Sequence, residues 1–198
     1  MHEMLHQHFN NYISLTPEEF EECKPLFKYK KFRRHQYILQ NGDVSRYETF
    51  ILSGCTRTYE VDDKGQEHII QFGMATWWVG DLHSFLTDSP SRYNIDCLED
   101  TEVLQISRVE MEKMYEKIPK LERFFRLLIQ KAYIASVERI YSNLSKPAPQ
   151  RYQEFIEKYP LLEQRVPNHQ IASFLGITPQ SLSRIRSQSI PQKKAGNK

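Results

Sequence analysis

The 198-residue chain is predicted to be α+β, with an N-terminal antiparallel barrel, a long helix and a small C-terminal helix-turn-helix domain. Three observations predict this. Short β-like runs separated by turn residues occupy positions 29–106, a texture that favours a closed or double-layered antiparallel sheet. One helical pattern with several apolar stripes runs from Pro119 to about Ser145. Finally, Val166 to Arg186 joins two short helical patterns across a glycine.

Taken in order, positions 1–28 carry a helical pattern. Within it, Thr16-Pro17-Glu18-Glu19 supplies an N-cap, a first-turn proline and two acids favoured by the helix dipole. The clearest strands are 37–39, 48–52, 56–61, 68–72 and 103–106. Asn41-Gly42-Asp43, Ser53-Gly54 and Asp62-Asp63-Lys64-Gly65 mark turns between them. Ser107 is placed to cap a short helix to Lys117, and Pro119 opens the long one. Lys146-Pro147-Ala148-Pro149 is a stiff break, followed by a supporting helix from Gln150 to Tyr159 that Pro160 closes. Ser189 to Lys198 reads as a polar tail.

In the helix-turn-helix, Ile171, Leu175, Ile177, Leu182 and Ile185 fill the apolar angle between two helices. Ala172 is the small contact residue and Gly176 makes the turn. Thr178 caps the second helix, with Pro179 in its first turn. The remaining face carries Gln180, Ser183 and Arg184, side chains suited to base edges in a major groove. Arg184 is expected on a guanine and Gln180 on an adenine, with Ser181 and Ser183 adaptable; His169, Thr178 and Arg186 are expected on the phosphate backbone. A surface helical hairpin would share the turn, but not the joint match of apolar, small, capping and polar positions.

Charge divides along the chain. Lys146 to Lys198 holds nine Lys/Arg and three Asp/Glu, a balance of +6; the preceding residues hold 18 and 22, a balance of −4. A basic reader behind an acidic control domain suits duplex DNA as a partner. On the long helix, Leu121, Phe125, Leu128, Ala132 and Ala135 form one stripe beside others, so burial on more than one side is expected. That stripe is the expected interface of a homodimer, the alternative being burial within the chain. The domains expected are 1–118, the dimerisation helix 119–145, and 146–198.

Several function classes are disfavoured. No run approaches the roughly 18 apolar residues of a membrane span. Met1 to His8 lacks the basic start and apolar run of a signal peptide. Cys23, Cys55 and Cys97, odd in number and widely spaced, read as buried reduced thiols, which places the protein in the cytoplasm and falls short of an iron–sulfur ligand set. His6 and His8 form a conceivable chelating pair, but exposed N-terminal histidines are read as incidental. A metal-dependent barrel enzyme needs several converging His and a carboxylate; His68 alone lies on a central strand, so no catalytic or metal site is assigned. A sensory module acting through protein partners without DNA is the alternative kept.

Barrel, long helix and helix-turn-helix, in that order, resemble the Crp/Fnr family of bacterial transcription regulators over nearly the whole chain. The resemblance rests on Trp77-Trp78-Val79-Gly80-Asp81-Leu82, Pro119-Lys120-Leu121-Glu122-Arg123-Phe124-Phe125-Arg126 and Ile171-Ala172-Ser173-Phe174-Leu175-Gly176-Ile177-Thr178-Pro179, and is similar to the Crp-like branch of Bacteroidetes-type bacteria. It implies a cyclic-nucleotide-binding-type double-stranded β-helix (jelly-roll), a dimer through the long helix and a palindromic operator, with RNA polymerase a candidate partner. It also implies a small-molecule effector held at a phosphate cassette, here Gly80, Asp81, Leu82, His83 and Arg92. The family cassette runs Gly-Glu-Leu, then an Arg followed by Ser or Thr. Here the acid is shorter, and Ser91-Arg92 stands in reversed order before Tyr93. An offset of one residue turns a strand side chain to the opposite face, so Arg92 is expected to point away and cyclic AMP is not the expected effector. Many relatives add a β-hairpin wing after the second reader helix. Only about ten polar residues follow here, with Lys193 and Lys194 expected to replace part of its phosphate contacts.

Overall fold

A computed structural model describes residues 2–189. They form two compact units that part within the long helix, after residue 135. Lys193 and Lys194 lie outside the described residues.

The first unit opens with helices α1 (His2–Asn10) and α2 (Pro17–Cys23) and a 3₁₀ turn at Lys24–Leu26. Thr16 caps α2 as its sequence suggests: its hydroxyl accepts from the Glu19 amide at 3.2 Å, and the Glu19 carboxylate accepts from the Thr16 amide at 2.8 Å. Eight strands follow among the described residues: β1 (Lys28–Phe32), β2 (Tyr37–Leu39), β3 (Tyr47–Ser53), β4 (Cys55–Val61), β5 (Glu67–Met74), β6 (Trp78–Val79), β7 (Asn94–Cys97) and β8 (Thr101–Ser107). Helix α3 (Leu82–Thr87) lies between β6 and β7. All pairings are antiparallel, in two sheets of order β1-β8-β3-β6 and β2-β7-β4-β5. Apart from the β4–β5 hairpin, successive strands alternate between the two sheets, which is jelly-roll topology.

Crossing from β3 in one sheet to β4 in the other takes a single residue, Gly54, at φ +102°. A Cβ there would come within 2.3 Å of Thr101 Oγ1 and 2.7 Å of its Cα, so both the backbone conformation and the space demand glycine.

The first sheet is buried on both faces. On β3 and β8, Ile51 and Val103 face the barrel interior with Phe32, Val79 and Cys97. Phe50, Leu52, Leu104 and Ile106 face a helical layer. That layer comprises α1, α2, α4 (Arg108–Lys117) and the start of α5 (Lys120–Ser145). Ser107 caps α4 reciprocally with Glu110, at 3.3 and 3.2 Å. Phe9, Phe50 and Phe124 are fully buried; Phe9 and Phe124 meet edge to face at 4.8 Å.

His6 and His8 are packing residues of this layer. His6 stacks on Phe20 at 4.4 Å and its Nε2 lies 3.1 Å from the Leu15 carbonyl, while His8 lies against Phe50 and Phe124. Two residues apart on a helix, they project to different faces and cannot chelate one ion. His68, exposed on β5, pairs with Asp62 at 3.0 Å.

The second unit continues from the end of α5 into α6 (Ala148–Lys158), α7 (Pro160–Arg165), α8 (Asn168–Phe174) and α9 (Pro179–Ser189). Pro160 opens α7 in addition to ending α6, since the first helical position needs no amide donor. The last turns of α5 are fastened to α6: Lys146 and Ser142 both reach the Glu154 carboxylate, at 2.6 and 3.3 Å, and Arg151 reaches the Asn143 carbonyl at 3.3 Å.

Two groups in the helical layer oppose each other in pH. Glu48 lies two residues before Phe50 on the same face, with Oε1 buried and without a hydrogen-bond partner. Burial, with Asp81 adding like charge, pushes its carboxyl from 4.5 up to about 8. Burial, with Lys131 adding to it, drops His8 from 6.5 to about 4. Between pH 4.5 and 8 folded Glu48 keeps a proton that the unfolded chain releases, so its contribution falls as pH rises. Between pH 4 and 6.5 His8 resists a proton that the unfolded chain takes, so its contribution falls as pH drops. From pH 6.5 to 8 Glu48 acts alone. Urea titrations should show barrel stability declining over that window, and Glu48→Gln should flatten the decline by up to about 2 kcal/mol.

Candidate nucleic-acid interface and barrel cavity

The second unit builds a helix-turn-helix from α8 and α9. Ile171, Ala172, Leu175, Leu182 and Ile185 are buried between them, with Ile177 half-buried. Gly176 adopts φ +63°; a Cβ there would meet nothing closer than Arg151 Nη1 at 3.7 Å, so the turn requires glycine for its conformation and not for space. The Thr178 hydroxyl caps α9, accepting from the Ser181 amide at 3.2 Å and donating to the Ser181 hydroxyl at 2.9 Å.

Leu182 and Ile185 turn one side of α9 inward, which leaves Gln180, Ser183 and Arg184 exposed together on the other at spacings of three and four. Ser187 continues that exposed face one turn further; it went unassigned in the sequence although its seven-residue spacing from Gln180 is legible there. Ser181 is half-buried beside the cap, and His169 is exposed on α8.

Arg186 departs from its expected place on a phosphate. Its Nε donates to the Tyr152 hydroxyl at 3.0 Å, Nη1 donates to Asn168 Oδ1, and Nη2 pairs with Glu163 at 3.1 Å. Tyr152 in turn donates to Glu163. The guanidinium thus ties α9 to α6, α7 and α8. Sequence pattern missed this because a basic residue near a helix C-terminus normally reads as a solvated or phosphate-facing charge.

In the first unit, a cavity of about 420 Å³ opens at one end of the barrel. Leu39 and Ile95 supply apolar wall, and Thr49 and Gln105 a polar floor in which the Gln105 amide donates to the Thr49 hydroxyl at 3.0 Å. Lys30, Asp43 and Arg46 stand at its sides.

The expected homodimer stripe is partly consumed within the chain. Leu121 and Phe125 are buried in the helical core and Leu128 packs against it, because the first turns of α5 cover the outer face of β3 and β8. Ala132 is exposed and Ala135 half-buried. Further along, Tyr133, Val137, Ile140 and Leu144 are 69%, 45%, 58% and 84% exposed, at spacings of four, three and four.

Comparison with known proteins bears on this architecture. Residues 29–118 match the family model of the cyclic nucleotide-binding domain. The transcriptional activator protein Anr of Pseudomonas aeruginosa is 21% identical over 87% of this chain and 75% of its own. The fumarate and nitrate reduction regulatory protein of Vibrio cholerae is 24% identical over 87% and 73%. The structure of FixK2 from Bradyrhizobium japonicum superposes with a TM-score of 0.73 at 17% identity, covering 86% of this chain and 89% of that one. Residues 29–118 are thus a cyclic nucleotide-binding domain, and the chain is similar along most of its length to these regulators.

The segment around α3, where the sequence leads one to expect the effector cassette, is bound up with its own chain. Asp81 is the N-cap of α3, accepting from the Ser84 amide at 3.2 Å. The Ser84 hydroxyl donates to the Ser89 carbonyl at 2.6 Å and accepts from the Ser45 amide at 2.8 Å. Ser91 exchanges backbone bonds with Gly42 and Asp43, both at 2.8 Å, and its hydroxyl is taken up by the Tyr93 backbone. Arg92 is exposed, with its guanidinium 6.0 Å from the Tyr93 ring centre. Leu82 and His83 are exposed on α3. Of the five residues expected at the effector, only Gly80 lines the cavity. The sequence did not single out Lys30, Thr49 or Gln105, although alternation along β1 and β8 puts Lys30 on the face of Phe32, and Gln105 on that of Val103.

Arg186→Ala should destabilise the helix-turn-helix unit by about 1–3 kcal/mol through the uncompensated Glu163 and Tyr152. Arg184→Ala, on the open face, should change it by less than about 0.5 kcal/mol. Urea unfolding followed by circular dichroism distinguishes the two.

Proposed function

We propose that the protein is a dimeric, cytoplasmic, sequence-specific DNA-binding transcription regulator, controlled by a small effector held in its barrel and without enzymatic activity. The observation that carries this reading is the exposed face of α9. Gln180, Ser183 and Arg184 stand free on one side of a helix whose opposite side is buried against α8. These side chains match base edges: Arg184 the O6 and N7 of guanine, Gln180 the N6 and N7 of adenine. Ser181, Ser183, Thr178 and His169 lie around them as sugar and phosphate contacts.

Tyr133, Val137, Ile140 and Leu144 support the dimer. Four large apolar side chains at coiled-coil spacing on one helix call for the same helix of a second copy. A two-fold pair of readers addresses half-sites about one helical turn, ~34 Å, apart, so the operator would be palindromic. RNA polymerase is the further partner such a regulator would meet at a promoter. Effector binding would act by favouring the arrangement of the long helices in which both readers fit the groove spacing.

Duplexes selected from a random pool should converge on a palindrome. On that operator Arg184→Ala should cost about 1–3 kcal/mol and relax one position in each half-site; an unchanged binding profile would refute the assignment. Ile140→Glu should convert the protein to a monomer in sedimentation, whereas a dimer that survives it must use another surface.

A further inference from the structure

β1 carries three lysines and two aromatic residues, and the fates of the lysines differ. Lys28 pairs with Glu110 at 3.3 Å and Lys31 with Glu102 at 3.4 Å. Lys30 has no ion-pair partner among the described residues. Strand register explains where it goes: Lys30 lies opposite Val103, an interior residue of β8, and shares its face with Phe32, over whose ring its ammonium sits at 4.6 Å. A lysine on the inward face of a barrel strand would ordinarily be a hydrophobe.

Arg46 enters the same cavity from the loop before β3 and likewise has no ion-pair partner among the described residues. Two other cations of this unit are neutralised: Arg57 is held by Asp96 and Glu67, and Arg108 by Asp88. Two uncompensated cations on one concavity, with Asp43 its single acidic lining residue, leave a positive site. The cavity's size is that of a small-ligand pocket, and its apolar wall and polar Thr49–Gln105 floor are the usual setting for an amphipathic molecule.

We propose that this cavity binds a small organic oxyanion, a carboxylate or phosphate ester on an apolar body, with Lys30 and Arg46 as its anion-binding residues in place of the cassette arginine. Its apolar body lies against Ile95 and Leu39, and Asp43 accepts from a hydroxyl or amine on the ligand. Arg92 takes no part: it is exposed beside the Tyr93 ring and does not line the cavity. Calling the ligand an effector rests on the regulator reading above; the binding itself does not.

Calorimetry on the full chain with phenyl phosphate tests this without reference to DNA. Phenyl phosphate should bind with a dissociation constant of about 1 mM, the affinity expected of a fragment of roughly ten heavy atoms. Lys30→Gln and Arg46→Gln together should weaken it at least about tenfold, since both charge-assisted bonds are lost, and added salt should weaken it further. Arg92→Ala should leave it unchanged, and benzyl alcohol should bind at least about tenfold more weakly. Both charge removals are at exposed positions, and an unchanged circular dichroism spectrum verifies the fold of the variants. No heat at about 10 mM phenyl phosphate, undiminished binding by the double variant, or uptake of cyclic AMP that depends on Arg92 would each overturn the proposal. Failure to bind any duplex, by contrast, would sink the regulator reading and leave the anion site standing.

Discussion

The first unit depends on one constraint: a sheet that must be buried on both faces. Residues alternate along β3 and β8, so Ile51 and Val103 enter the barrel while Phe50 and Leu104 face outward, all four without solvent exposure. No strand of the second sheet can cover Phe50 and Leu104, which leaves helices to do so. Full burial of side chains of this size is worth about 1.5–3 kcal/mol each, so the N-terminal helices and the opening turns of α5 are integral to the barrel. That demand also divides α5 by role, its first turns committed to the core and its later apolar residues left for another surface.

How legible this was in the sequence depended on local signals. Capping residues were clear, because Thr16 and Ser107 with Glu19 and Glu110 form reciprocal boxes that need only four residues of context. The helix-turn-helix was clear for the same reason: its angle, turn and cap all fall within twenty or so residues. β6 has only two residues and β7 only four, Asn94–Cys97, with a buried aspartate in place of alternation, so neither announces itself. Asp96 is tolerated there because Arg57 grips it with two bonds at 2.8 and 2.9 Å, a partner 39 positions away.

The functional sites follow the same rule. Gln180, Ser183 and Arg184 share a helix face, and periodicity alone assigns them. Arg186 differs from Arg184 by two positions and about half a turn, yet its fate is set by Tyr152, Asn168 and Glu163 on three other helices. Motif matching placed the effector at the cassette, whereas strand register and the loop before β3 determine what lines the cavity. The serine hydroxyls of the cassette turn are taken up within the chain, Ser84 by Ser45 and Ser89, and Ser91 by the Tyr93 backbone.

The placement of the three cysteines has a chemical consequence. Cys55 and Cys97 have no solvent exposure and Cys23 almost none. Burial holds the Cys97 thiol up at about 11 and the Cys23 thiol at about 12, so the nucleophilic thiolate is scarce as well as shielded. Peroxide and alkylating agents attack the thiolate at an accessible sulfur; access fails at all three sulfurs in the native fold, and thiolate is scarce at Cys23 and Cys97 as well. Covalent labelling of these sulfurs would therefore report unfolding of the barrel rather than the oxidant load of its surroundings.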